Sequence, residues 1–205
     1  MSDQMQTLRD DLAFMKSMAA DEGRLPWVVG ACFLAAGLIY GLPVIAVWAQ
    51  ERGLIDIPGG WTNWVGVWST VVFVPLQIAL VVLGPKPKPG SSLGRAFIPA
   101  WSGIGLSTVV MVVVIFVAGA RLHVPQMWQV WTSICFALWG AAWWVVAMLR
   151  PGRGWILVAL GSLATALANS LLIGTPDEIL GCAVGILVWL GAPGLMIMLH
   201  APAKD

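Results

Sequence analysis

Six long stretches of this chain are almost free of charge, and nothing else in it restricts the fold as strongly. They run Pro26–Gln50, Trp61–Gly84, Arg95–Arg121, Pro125–Leu149, Trp155–Gly174 and Glu178–His200. The 11 basic and 10 acidic side chains lie outside these stretches or at their ends. About 20 consecutive apolar residues span a bilayer as a helix. Charged residues form 10% of the chain, against roughly 25% in soluble domains. The pattern predicts an all-α, polytopic membrane protein: a six-transmembrane-helix bundle of three hairpins, preceded by a cytoplasmic amphipathic helix. The divisions are residues 1–25 for that helix, 26–200 for the transmembrane domain and 201–205 for a cytoplasmic tail. The first span follows a polar segment and lacks a small-residue cleavage site, so it is expected to stay uncleaved.

Charge sets the orientation. With the N-terminus inside, Arg9, Lys16, Arg24, Lys86, Lys88, Arg95, Arg150, Arg153 and Lys204 all lie inside, and only Arg52 and Arg121 outside. Basic residues accumulate on the cytoplasmic side of membrane proteins, so both termini are placed there. Short connections such as Arg150–Gly154 and Gly174–Glu178 make neighbouring helices antiparallel. Thr175 or Asp177 is positioned to cap the last span.

Thirteen tryptophans sort by depth. Trp48, Trp61, Trp64, Trp128 and Trp131 fall at the outer ends, and Trp27, Trp101, Trp143, Trp144 and Trp155 at the inner ends, as in an aromatic belt. Trp68, Trp139 and Trp189 lie deeper, where the indole N–H requires a partner, and are read as packing residues. Small residues four apart let backbones approach. Gly37 with Gly41, Gly181 with Gly185, and the rows Ser133, Ala137, Ala141 and Ser162, Ala166, Ser170 mark expected helix-packing faces. Pro43, Pro75 and Pro193 each remove a backbone donor and free a carbonyl, and Gly191–Gly194 is expected to break or kink the last helix.

No ionisable residue stands in the middle of a span, which argues against a proton relay or a charged ion path. The polar groups at depth are uncharged. Tyr40, Gln77, Thr165 and Asn169 are the candidate intramembrane polar or ligand positions, with bonding across helix interfaces as the preferred reading and Thr108 as a further polar residue. His123 and His200 fall on opposite sides of the membrane, and Cys32, Cys135 and Cys182 occur singly, so neither a metal site nor a cofactor is expected. Motifs of the H-E-x-x-H and P-loop kinds are missing from the sequence, and GSSLG at 90–94, which fits G-x-S-x-G in letters, is read as a polar turn because no strand precedes it and no base lies nearby; no catalytic residues are assigned. Dispersed charge gives no basis for nucleic-acid binding.

The polar opening carries one more pattern. Met5, Leu8, Leu12 and Met15 recur at helical spacing and form a narrow apolar seam, the candidate partner-docking face. Asp3, Asp10, Asp11, Asp21 and Glu22 outnumber the basic residues around it, whereas a helix lying on an anionic leaflet is basic on its polar face. Protein is therefore the expected occupant of the seam. The segment RDDLAFMKSMAADEGRLPWVVGACFLAAGLIYG resembles the start of uncharacterised small polytopic membrane proteins of alphaproteobacteria. That resemblance covers about 35 residues, implies a bacterial inner membrane and brings no activity or site residues with it. The functional expectation is a non-enzymatic accessory, regulatory or scaffold subunit. Its partners are the lipid bilayer and either itself, as a homo-oligomer, or another membrane protein. The alternative is a small carrier or channel for a neutral or apolar solute.

Overall fold

A computed structural model describes residues 27–84, 92–149 and 152–200. The N-terminal seam of Met5, Leu8, Leu12 and Met15, the 85–91 loop and the 201–205 tail lie outside the described residues. Within the described residues there is no strand. Among the described residues, six helices are long and apolar enough to cross a membrane. They are α1 (Trp27–Glu51), α2 (Val65–Leu83), α3 (Ser92–Leu122), α4 (Val130–Leu149), α5 (Arg153–Leu171) and α6 (Pro176–Leu199).

Two 3-10 turns, Pro58–Trp64 and Pro125–Gln129, lead into α2 and α4. Each opens on a proline, whose missing N–H costs nothing in a first turn. Regular α-helix therefore starts a few residues inside the apolar stretches that begin at Trp61 and Pro125. Where a break or a kink is expected the last span does not break, and at its start the expected side-chain cap is not made. It stays helical across Gly191–Gly194, because a π-helical turn over Leu187–Gly191 joins α-helix Pro176–Ile186 to α-helix Ala192–Leu199. The Ala192 N–H reaches back to the Leu187 carbonyl, the wide-turn bond by which one extra residue is absorbed without ending the helix. At its start, Thr175 occupies the N-cap position but makes no side-chain cap. Its hydroxyl donates back to the Leu172 carbonyl at 2.7 Å, and Asp177 instead pairs with Arg52.

The first and last helices meet backbone to backbone. A Cβ at Gly30 would strike the Gly194 carbonyl, and one at Gly37 would strike the Gly191 backbone. One at Gly41 would strike the Leu187 side chain. Partner numbers fall as the α1 numbers rise, so the two helices are antiparallel. The Arg52–Asp177 ion pair joins their ends at one side of the bundle. The broadest contacts are α4 with α5 and α1 with α6; α2 rests on α1, and α3 on α4. These four helices form the centre, and α2 and α3 flank it. Burial follows: 44% of the α6 span is buried, against 6% of α3.

Aromatic rings fill one half of the centre. Phe33 of α1 lies 4.4 Å from Trp101 of α3 and 5.1 Å from Trp143 of α4, ring centre to ring centre. Trp143 stacks on Trp155 of α5 at 5.4 Å and has no exposed surface. Trp101, Trp143 and Trp155 thus form a core block, where depth alone had assigned them to an interfacial belt. The face of a helix a ring occupies, not its depth, decided this. The small-residue row of α4 also moves: Ala137 and Ala141 face outward, and close approach falls one residue earlier, where Gly140 lies under Leu163.

The α1–α6 geometry predicts an asymmetry between facing glycines. Gly37→Ala should lower stability in mild detergent by about 1–3 kcal/mol, the usual cost of forcing atoms into a packed contact. Gly66→Ala, with open space at the new Cβ, should be close to neutral. Gly191→Ala, whose Cβ meets Gly37 at an ordinary 3.6 Å, should lie between them. A thermal-unfolding series of the three variants checks this order.

Candidate functional site

Among the described residues, the polar chemistry of the bundle interior lies in side chains that bond across helices. They are best read from the backbone groups they satisfy. Proline at 43 gives no N–H to the Ile39 carbonyl four residues earlier. That carbonyl accepts the hydroxyl of Ser69, a buried residue of α2, at 2.9 Å. Pro193 likewise leaves the Trp189 carbonyl without its usual donor, and the Trp143 Nε1–H from α4 fills the place at 2.9 Å. In each case a break in one helix becomes a bond to its neighbour.

The four candidate polar residues separate into three locations. Tyr40 stands at the α1–α2 contact, its hydroxyl 3.1 Å from Thr70 Oγ1 and its ring edge-on to Phe73. Thr165 and Asn169 lie one turn apart on the face of α5 that meets α6. Thr165 donates to the Gly161 carbonyl at 2.9 Å and accepts the Trp189 indole N–H at 2.7 Å. The Trp189 ring covers Gly161, where any Cβ would collide with it. Asn169 is buried against Gly181, and its Nδ2 has no hydrogen-bond partner among the described residues. Gly185, one turn on, lies under the Phe136 ring and the Thr165 methyl. Gln77 stands apart from all of these, exposed on the outward face of α2 beside Val74, Ile78 and Val81. The structure therefore does not gather Tyr40, Gln77, Thr165 and Asn169 into one site.

Three hydrogen-bonded contacts escaped sequence reasoning. Ser162, fully buried, donates to the Phe136 carbonyl at 2.9 Å across α4 and α5. Ser69 escaped because Pro43 announces a free carbonyl but not the helix that answers it. Glu178 is buried in the first turn of α6, where its carboxylate accepts the Gly174 N–H at 3.3 Å. Its place near a span end marked it as a loop residue.

Among the described residues, no three of the His, Cys, Asp and Glu side chains come close enough to hold a metal ion. Cys32, Cys135 and Cys182 are free thiols. Comparisons with family models, with curated proteins and with solved structures found no match.

The proline pairings predict a coupling. Ser69→Ala should cost about 1–3 kcal/mol, because it leaves the part-buried Ile39 carbonyl bare. In a Pro43→Ala background the same change should cost clearly less, since residue 43 then supplies its own N–H. Denaturation of the four variants in a double-mutant cycle measures this, and simple additivity would refute the pairing.

Proposed function

We propose that this chain is a multi-pass membrane protein that acts as a non-enzymatic accessory or scaffold subunit, in a bacterial inner membrane with both termini cytoplasmic. The observation that carries the reading is how the interior is occupied. Phe33, Trp101 and Trp143 fill the space between α1, α3 and α4, and α1 and α6 touch through backbone. Tyr40 and Thr165 spend their hydroxyls on bonds between helices of the chain. A carrier for a neutral solute needs polar groups facing a passage, and these two are bonded to Thr70 and Trp189 of neighbouring helices. By contrast α2 and α3 present broad apolar outer faces, with Val71, Val82, Leu106 and Phe116 all more than half exposed. Lipid and protein neighbours are the occupants that such faces suit. The six apolar helices and the nine-to-two distribution of basic residues support insertion and orientation.

Two measurements test this. Cysteine labelling in intact cells or oriented vesicles should find Ser91→Cys reactive only from the inside and Thr175→Cys only from the outside; the reverse pattern overturns the orientation. Purification in mild detergent should recover the chain in a reproducible assembly. A solitary monomer that also moves uncharged solutes across reconstituted vesicles would replace the scaffold reading with the carrier.

A further inference from the structure

We infer that the outward face of α2 is an interface between two copies of this chain, centred on Gln77. The inference rests on the membrane reading given above and adds the identity of one partner.

A glutamine carboxamide has two N–H donors and a carbonyl acceptor. In hydrocarbon these groups have no water to bond, so they seek another chain. Gln77 is exposed, and among the described residues nothing bonds it. It lies six residues inside Leu83, the end of α2, which at 1.5 Å per residue is about 9 Å deep. That is too far for a side chain of its length to reach the interface. The other polar groups of the flanking helices have ways out. Thr70 bonds the Gly66 carbonyl at 2.7 Å and Tyr40, and the hydroxyls of Ser107 and Thr108 in α3 can turn back onto carbonyls of their own helix. A carboxamide cannot satisfy both its ends that way.

The surroundings of Gln77 suit a helix partner. Val67, Thr70, Val74, Gln77 and Val81 follow one another at alternating steps of three and four, the spacing that keeps one seam facing a neighbouring helix. All five are exposed, Val74 at 44% and Val81 at 59%. Ser69 and Val65, buried toward α1, lie to the side of this seam.

Self-complementarity selects the second copy. The natural partner of a carboxamide is another carboxamide at the same depth, with the N–H of each donating to the carbonyl of the other. A two-fold axis along the membrane normal supplies that arrangement from one sequence, placing Gln77 against Gln77 with the valines packed around the pair. A single polar residue in an apolar seam also sets the register of the two helices.

The test is performed on the full chain in native membranes, with Cys32, Cys135 and Cys182 replaced by alanine. Single cysteines are introduced as Val74→Cys, Gln77→Cys and Val81→Cys on the seam, and as Trp68→Cys and Val72→Cys on the flank away from it. Mild oxidation should give a disulfide-linked dimer at the three seam positions and not at the two flank positions. In lipid vesicles Gln77→Leu should raise the dimer dissociation constant about tenfold, and Gln77→Asn should recover much of the loss. Cross-linking that ignores position, or a Gln77→Leu dimer as tight as the original, overturns the inference. Alkaline carbonate extraction of the same membranes separates the two layers of argument. A chain that resists extraction yet forms no seam cross-link refutes the dimer alone, and a chain that is extracted refutes the membrane reading as well.

Discussion

Everything in the bundle is arranged around the place where α1 and α6 touch without side chains between them. Dispersion forces fall away within a fraction of an ångström of a lost contact, and in the lipid setting proposed above helices have no hydrophobic push to hold them together. Bringing backbone against backbone at Gly37 and Gly191 is what makes that attraction large enough. Once the first and last helices are joined, the chain is closed on itself. Phe33 of α1 is carried into contact with Trp101 and Trp143, Leu190 and Ile186 of α6 meet Phe136 and Ala166, and Arg52 reaches Asp177. That exposed ion pair contributes little by itself; it reports that the ends have arrived.

The interruptions of the helices follow the same logic. Proline in a span leaves a bare carbonyl that hydrocarbon cannot satisfy. Here Ser69 and Trp143 come from neighbouring helices to meet two such carbonyls. The π turn before Pro193 keeps α6 helical while adding one residue to it. At these two carbonyls, what looks in the sequence like weakness in a single helix becomes a specific bond between a pair of helices.

How much of this was legible beforehand depended on the kind of signal. The number and approximate limits of the apolar helices follow from uncharged run length, which is a property of each segment alone. Polar residues at depth were visible for the same reason. Which helix faces which neighbour is not a segment property, and there the reading failed. Trp101 and Trp143 sit at the depth of a belt yet point into the core, the close approach in α4 is at Gly140 and not along Ala137 and Ala141, and Gln77 points away from the bundle while Asn169 points into it. With apolar residues on every side, a span carries little amphipathic pattern to mark its inner face. Glu178 was overlooked because its burial depends on the turn before it folding back, with Gly174 donating to its carboxylate.

The α1–α6 contact is open to a direct measurement. With the native cysteines replaced by alanine, the pair Gly41→Cys and Leu187→Cys puts one sulfur on each side of the place where the Leu187 side chain now covers Gly41, and only residues in close approach can form a disulfide. Mild oxidation in native membranes should link them within one chain, shifting its mobility under non-reducing conditions. The pair Gly66→Cys and Leu187→Cys, whose first position faces open space, should stay unlinked. Equal linkage of the two pairs, or none at Gly41 with Leu187, would contradict the close approach of the first and last helices on which the rest of the fold depends.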